Sequence, residues 1–377
     1  MFTALVGLFG IIAAVALLGY HHYPHQPNDF YAFNSFSRFI HQHRPALIYD
    51  QAVLRQFQSM PNGKLYAYMY HPGMMLLVWP LQWLAYDAGY VCWVGFGLVL
   101  YLAVVWNGDR LTTSVALVAP STLWTILCGQ SSLLVAALLV GGLGLTKRRP
   151  VAAGILLGVA TYKPQLGLLV PVALIAAGQW RTMAAAFGTV LCIVVVSSLS
   201  FGTTIWLVWL DHLPSILRVE SENSRNWASV LATVASNLRM FGVGRTAASI
   251  VQPMVSVVVA WHVWTCFRRG CGALEIATLA VATFLATPFA FTYDMPLCTA
   301  GLLLFVDERR RAHGLFGFAE IMVIVASLLL PYCVVTEWLH RLGSLVLFVL
   351  VCMIARRIRQ VPPHGPGEAT VQAAATA

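Results

Sequence analysis

Twelve apolar blocks, several of them short, separated by polar turns and by two longer segments, constrain this chain more than any other feature. They run over 2–20, 89–106, 111–128, 131–146, 151–162, 165–178, 182–200, 246–265, 274–288, 294–306, 315–335 and 341–355. Inside a bilayer no water satisfies backbone N–H and C=O groups, so a crossing must be a helix of about 20 apolar residues, or fewer where protein surrounds it. Composition agrees: 59% of residues are hydrophobic and only 10% charged, against the roughly 25% charged of a soluble domain. The first block lacks a basic n-region and a small-residue cleavage site, so it reads as a retained span. Pro164 divides one long apolar stretch into two half-length helices. The expectation is an all-α polytopic membrane protein: a single domain over 1–358, without internal repeats, and a disordered Pro- and Ala-rich cytoplasmic tail over 359–377.

The formal charge of +9 resides in short basic runs between apolar blocks: Lys147-Arg148-Arg149, Arg268-Arg269, Arg309-Arg310-Arg311 and Arg356-Arg357. That pattern marks topology, and it argues against a nucleic-acid partner. The segment His71 to Tyr86 decides the count. If it crossed, the basic runs would alternate sides. If it lies at the interface or dips in and returns, Arg110, Arg181 and all four runs share one side, the cytoplasm. The short external turns then keep only Lys163 and Arg341. That arrangement puts both termini inside and makes 21–88 and 201–245 external. The chain is expected in the bacterial inner (plasma) membrane, with its chemistry on the periplasmic or extracellular side.

The eight cysteines show no CxxC spacing and sit mostly in apolar runs, where cysteine behaves as a small hydrophobe. His21-His22-Tyr23-Pro24-His25 lacks a further spaced ligand, so neither metal nor cofactor is expected. No Asp-x-Asp pair lies near Asp29, which argues against a metal-bound nucleotide-sugar donor. Without a Walker loop or GxGxxG motif, ATP-driven transport is disfavoured.

Candidate functional residues gather on the external side. Phe30, Phe33, Phe36 and Ile40 share one helical face and Asn34, Ser37 and Arg38 the other, describing an amphipathic helix lying in the interface. Asp29 opens it, either as an ionised general base favoured by the helix dipole or merely as a cap. Asp50 alone reads as a turn or cap residue, and His71 as an amphipathic anchor or a direct participant. Gln130 occupies a tight turn. Lys163 sits in a dry apolar hairpin, where an ammonium needs an anionic partner from elsewhere in the fold or from a ligand such as a phosphate. The turn from Thr287 to Asp294 adds another acid beside Tyr293, and 201–245 reads as a wet loop. Asp29, Asp50, His71, Gln130, Lys163 and Asp294 all fall on one face, as a polar headgroup on a lipid carrier would require.

This pattern resembles the polytopic C-type glycosyltransferases, specifically glycosyltransferase family 87. The resemblance spans about Asn28 to Phe305. It rests on Asp29-Phe30-x-x-Phe33, Leu47-Ile48-Tyr49-Asp50, Tyr70-His71-Pro72 and Leu76-Leu77-x-x-Pro80-Leu81. It continues through Gly129-Gln130-Ser131, Ala153 to Gly158, Lys163-Pro164-Gln165, Gln179-Trp180-Arg181 and Thr287-Pro288. It implies a GT-C fold with about twelve transmembrane helices and interfacial helices in the first external loop. It further implies a hexosyl- or pentosyltransferase whose donor is a polyprenyl-phosphate sugar and whose acceptor is a lipid or glycan. Asp29 would be the base of a single inverting displacement, with Lys163 facing the donor phosphate and Gln130 and His71 lining the cavity. Asp50, Tyr293 and Asp294 complete the expected substrate contacts. In the mannosyltransferase branch the last turn carries histidines where this chain has Tyr293 and Asp294, which leaves the sugar open. A transporter or flippase of a lipid-linked sugar is the alternative, but it needs polar residues near the membrane midplane, and the blocks contain almost none.

Overall fold

The computed structural model describes residues 28–60, 65–106, 108–223, 230–312, 314–331 and 341–360, without side chains for 216–223. The first apolar block, the histidine-rich 21–25 stretch and residues 361–377 lie outside them. Among the described residues the fold is helical, and the one strand-like pairing is an isolated bridge between Leu231 and Phe291. In chain order the helices are α1 Phe30–Gln42, α2 Gln51–Gln58, α3 Gly73–Val78, α4 Tyr86–Val105, α5 Arg110–Val118 and α6 Pro120–Cys128. There follow α7 Ser132–Leu145, α8 Pro150–Val159, α9 Val170–Ala176, α10 Trp180–Phe201, α11 Ile205–Asn223 and α12 Val234–Met240. The last are α13 Arg245–Phe267, α14 Ala273–Ala286, α15 Pro296–Arg311, α16 Phe318–Leu329 and α17 Gly343–Gln360. Short 3₁₀ turns at Ala160–Tyr162 and Pro164–Gly167 surround Lys163, where Pro164 interrupts the helix as its missing N–H requires.

Among the described residues three helices, α4, α10 and α13, are long and apolar enough to cross a membrane; α5 and α6, bent by 45° at Ala119, count as a fourth if taken as one span. The apolar blocks that fall among the described residues thus reappear as helices, of which three or four are long and apolar enough to be full-length spans. The reason is visible in burial. α7 and α14 are enclosed by neighbours along most of their length, so their backbones are shielded by protein and need not match a bilayer. The long helices instead present apolar side chains outward: Phe96 and Val99 on α4, Phe187 and Leu199 on α10, Val257 and Trp261 on α13. So extensive an exposed apolar surface identifies a membrane protein.

Two expectations about the polar segments are corrected. α1 is not a surface-lying amphipathic helix, because Asn34 and Ser37 are as buried as Phe33 and Phe36, leaving Arg38 exposed on its middle turns. Residues 66–83 close over its polar side, with Ser37 donating to the Trp79 carbonyl at 3.0 Å and Tyr68 packing on Phe36. Residues 201–245 are not simply a wet loop, since α11 and α12 occupy much of it. The C-terminal helix α17 also extends to Gln360, two residues into the stretch assigned to the tail.

The polar turns sort to two ends. At one, Asp109 pairs with Arg310 and the Cys271 thiol meets the Leu143 carbonyl. At the other, Asp29 reaches Cys128, His71 reaches Thr161 and Lys163 reaches Asp294. The α5–α6 pair, α7, α8, α14 and α15 each run from one set to the other. The basic runs at 147–149 and 309–311 therefore sit at the end opposite the carboxylate and lysine cluster.

α8 and α10 pack closest, through Gly154 and Gly158. A Cβ at Gly154 would lie 2.5 Å from both the Thr182 carbonyl and Ala185, and one at Gly158 would lie 2.6 Å from Thr189. Glycines four apart allow such backbone approach between membrane helices. Gly154→Val should lower the thermal unfolding midpoint in detergent by the equivalent of about 1–3 kcal/mol. Gly144→Val, at a site with open space around it, should not; equal effects of the two would refute this account of the contact.

Candidate active site

The site is built on the turn that ends α6. Gly129 adopts the left-handed conformation, φ 69°, and its N–H and that of Gln130 bond back to the last turn of α6. Glycine alone takes this φ without strain, and space imposes the same choice: a Cβ here would sit 2.6 Å from the Phe30 Cβ. The start of α1 lies directly on this turn. The Asp29 N–H donates to the Cys128 carbonyl at 2.9 Å, and the Asn28 amide to the Leu127 carbonyl at 3.3 Å.

Asp29 stands at the N-cap position of α1 yet makes no side-chain cap bond. Its carboxylate instead accepts from Gln130 Nε2 at 2.8 Å. The capping alternative raised by the sequence is therefore not how this side chain is used. Gln130 is buried, and among the described residues its Oε1 has no hydrogen-bond partner; neither does the buried Ser131 hydroxyl beside it. Buried polar atoms of this kind call for a partner that binds.

Two residues further, the same turn meets a buried ion pair. Lys163 Nζ donates to Asp294 Oδ1 at 2.7 Å and to Ser132 Oγ at 2.9 Å, and Ser132 itself donates to Oδ1 at 2.6 Å. Asp294 Oδ2 accepts the Phe291 N–H at 3.0 Å. Both charged side chains are almost wholly enclosed, at 3% and 1% exposure. The fold thus supplies Lys163 with an anionic partner 131 positions away in sequence. Tyr162 fastens the hairpin further by donating to the Ser131 carbonyl at 3.0 Å.

Tyr293 adjoins Asp294 and feels the charge of both carboxylates. Its carbonyl accepts from Thr125 at 2.6 Å, its ring stacks on Phe291, and Lys163 Nζ lies 5.2 Å from its centroid. Burial raises its phenol pKa well above the ordinary range, and the negative charges of Asp294 and Asp29 add to that rise. It stays protonated, so it can donate a hydrogen bond. Residues 230–232 run beside this turn, with the Ala232 N–H donating to the Ala290 carbonyl and the Thr292 N–H to that of Val230.

His71 is engaged at both nitrogens. Nδ1 accepts the Gly73 N–H at 3.0 Å, so Nε2 carries the proton and donates to the Thr161 carbonyl at 3.0 Å. The ring stacks on Trp206, and burial lowers its pKa. It fixes the 160–164 hairpin from the side. Asp50 stands apart: it is exposed and caps α2, accepting the Ala52 and Val53 N–H groups. The structure therefore brings together Asp29, Gln130, Lys163, Tyr293 and Asp294, sets His71 against their hairpin, and leaves Asp50 in a local turn. Ser132, Tyr162 and Gly129 were not singled out from sequence as parts of this site. Gly129 and its neighbour Ser131 were legible only within a motif, and nothing in the spacing signals Ser132 as a ligand of Lys163.

Helices that gather carboxylate, amide and phenol groups at one end of an apolar bundle suit a membrane enzyme acting on a polar headgroup. The model of glycosyltransferase family 87 matches residues 68–288, more than half of the chain. The chain belongs to that family and is a membrane glycosyltransferase. His71, Gln130 and Lys163 fall within the matched span; Asp29, Asp50, Tyr293 and Asp294 fall outside it. No curated protein and no solved structure matches the chain.

Breaking a buried pair by removing one partner costs about 3–5 kcal/mol, because the other charge stays buried. Lys163→Met and Asp294→Leu should each lower stability by that order, while the double replacement should recover much of the loss. A double variant as unstable as the sum of the singles would show that the pair is not coupled. Because native His71 accepts its proton only at lower pH than an unfolded histidine, stability should fall as pH drops through about 6.5. A His71→Gln variant should lose that part of the pH dependence, as read from unfolding midpoints between pH 5 and 8.

Proposed function

We propose that this glycosyltransferase moves a monosaccharide from a polyprenyl-phosphate donor to a hydroxyl of a lipid or glycan acceptor by single inverting displacement. Asp29 is the base. As the acceptor oxygen forms its bond to the anomeric carbon, its proton passes to the Asp29 carboxylate. The bond from that carbon to the phosphate oxygen breaks, and polyprenyl phosphate leaves with the electron pair. The observation that carries this reading is the Asp29 carboxylate, which turns away from its own helix end and is held by Gln130. A base must be fixed within hydrogen-bond reach of the proton it takes, and Gln130 supplies the orientation.

The other residues take supporting roles. The vacant Gln130 Oε1 and the Ser131 hydroxyl are the groups best suited to receive substrate hydroxyls, and Tyr293 is a donor. Lys163 and Asp294 brace the turn that presents these groups, so Lys163 is read as a structural cation and not as the ligand of the donor phosphate. His71, with both nitrogens occupied, positions the hairpin and carries no proton to or from substrate. By the positive-inside rule the end opposite the basic runs faces away from the cytoplasm, which makes the site periplasmic or extracellular.

The test incubates purified protein with a panel of radiolabelled polyprenyl-phosphate sugars and a cell lipid extract. Wild type should transfer from one donor class. Asp29→Asn and Asp29→Ala should reduce transfer by about 10²–10⁴-fold with membrane insertion unchanged. Normal transfer by both variants would remove Asp29 as the base, and transfer only from nucleotide sugars would remove the carrier-linked donor.

A further inference from the structure

At the opposite end of the bundle, α13 and α17 both pack on α14 and leave a cleft between them. Its volume is about 530 Å³. One wall carries Val258, Trp261 and His262 of α13, and the other Ile358 and Arg359 at the end of α17. Arg269, just past α13, closes the mouth. Arg269 and Arg359 both line this cleft, and both act electrostatically on its Cys266 thiol, as does the buried Glu275 with the opposite sign. Farther along, the wall turns apolar and faces outward, with Val258 67% and Trp261 68% exposed.

We propose that this cleft binds an anionic phospholipid, its phosphodiester between Arg269 and Arg359 and an acyl chain along Val258 and Trp261. Charge and length select this occupant. Guanidinium groups pair with phosphate oxygens in bidentate geometry. From Val258 to Arg269 the eleven-residue rise along a helix is about 16 Å, the depth of one leaflet of a hydrocarbon core about 30 Å thick. A free phosphate would use the mouth and leave the apolar wall empty. The basic runs at this end favour the same lipids in the surrounding leaflet.

Delipidated full-length protein in detergent would be titrated with phosphatidylglycerol and with phosphatidylcholine, counting bound lipid by native mass spectrometry. Wild type should bind phosphatidylglycerol in preference. A basic residue near an anionic lipid contributes ~1 kcal/mol, so Arg359→Gln alone should weaken that lipid about fivefold. Arg269→Gln/Arg359→Gln should multiply the loss, with phosphatidylcholine binding unchanged. Trp261→Ala should weaken both lipids through the chain contact. The control Arg38→Gln/Arg148→Gln removes equal charge from exposed positions outside the cleft. Equal losses in the two double variants would overturn the site, as would displacement of the lipid by millimolar inorganic phosphate. Arg359→Gln, at an exposed position in the last turn of α17, decides the question if the double variant unfolds.

Discussion

Everything at the candidate active site depends on one buried ion pair. Taking an ammonium and a carboxylate out of water costs several kcal/mol per ion, and their attraction repays that only with good geometry and the remaining hydrogen-bonding capacity filled. Here it is filled: Asp294 accepts from Lys163, Ser132 and the Phe291 backbone, while Lys163 reaches Ser132 as well. Such a pair adds little net stability, but it admits few alternative arrangements. It joins the Pro164-interrupted hairpin, the start of α7 and the turn before α15, and the Tyr162 hydroxyl adds a second polar tie between the first two.

A second constraint is the approach of backbone to backbone at Gly129. The Asp29 N–H is tied to the end of α6 and the Asp29 carboxylate to Gln130, two residues past that helix end. The same short turn therefore carries Asp29 on one side and the ion pair on the other. Gln130 Oε1 and Ser131 Oγ, on this turn, are buried and without a hydrogen-bond partner among the described residues. The cluster is thus anchored both by peptide groups at helix ends, where N–H and C=O groups are available, and by side chains bonding one another.

The apolar blocks were legible in the sequence because hydrophobic length is a strong local signal, and the helices recovered follow those blocks closely. Which blocks face lipid was less legible, since an enclosed helix such as α14 is as apolar as one with an outward apolar face. The amphipathic reading of α1 failed for a related reason: Asn34 and Ser37 are polar, yet residues 66–83 fold over them, and periodicity within a single short helix cannot register a cover supplied from a distant segment. Gathering Asp29, Gln130, Lys163 and Asp294 at one end was legible from the basic runs, which share the other side. Which groups would bond to which was not. Lys163 was seen to need an anion, and the choice between a ligand and Asp294 required the fold.

The turn from Gln130 to Ser132 has a consequence for how this site can vary. It begins with the amide that orients one carboxylate and ends with the hydroxyl that binds the other, just where α7 starts. Each residue added to the chain lengthens it by up to about 3.8 Å. Lengthening the turn by a single residue would swing Ser132 out of register with Lys163 while leaving Gln130 in place, uncoupling the two halves. Substitutions in this loop are accommodated one side chain at a time, whereas its length is a quantity both halves read at once.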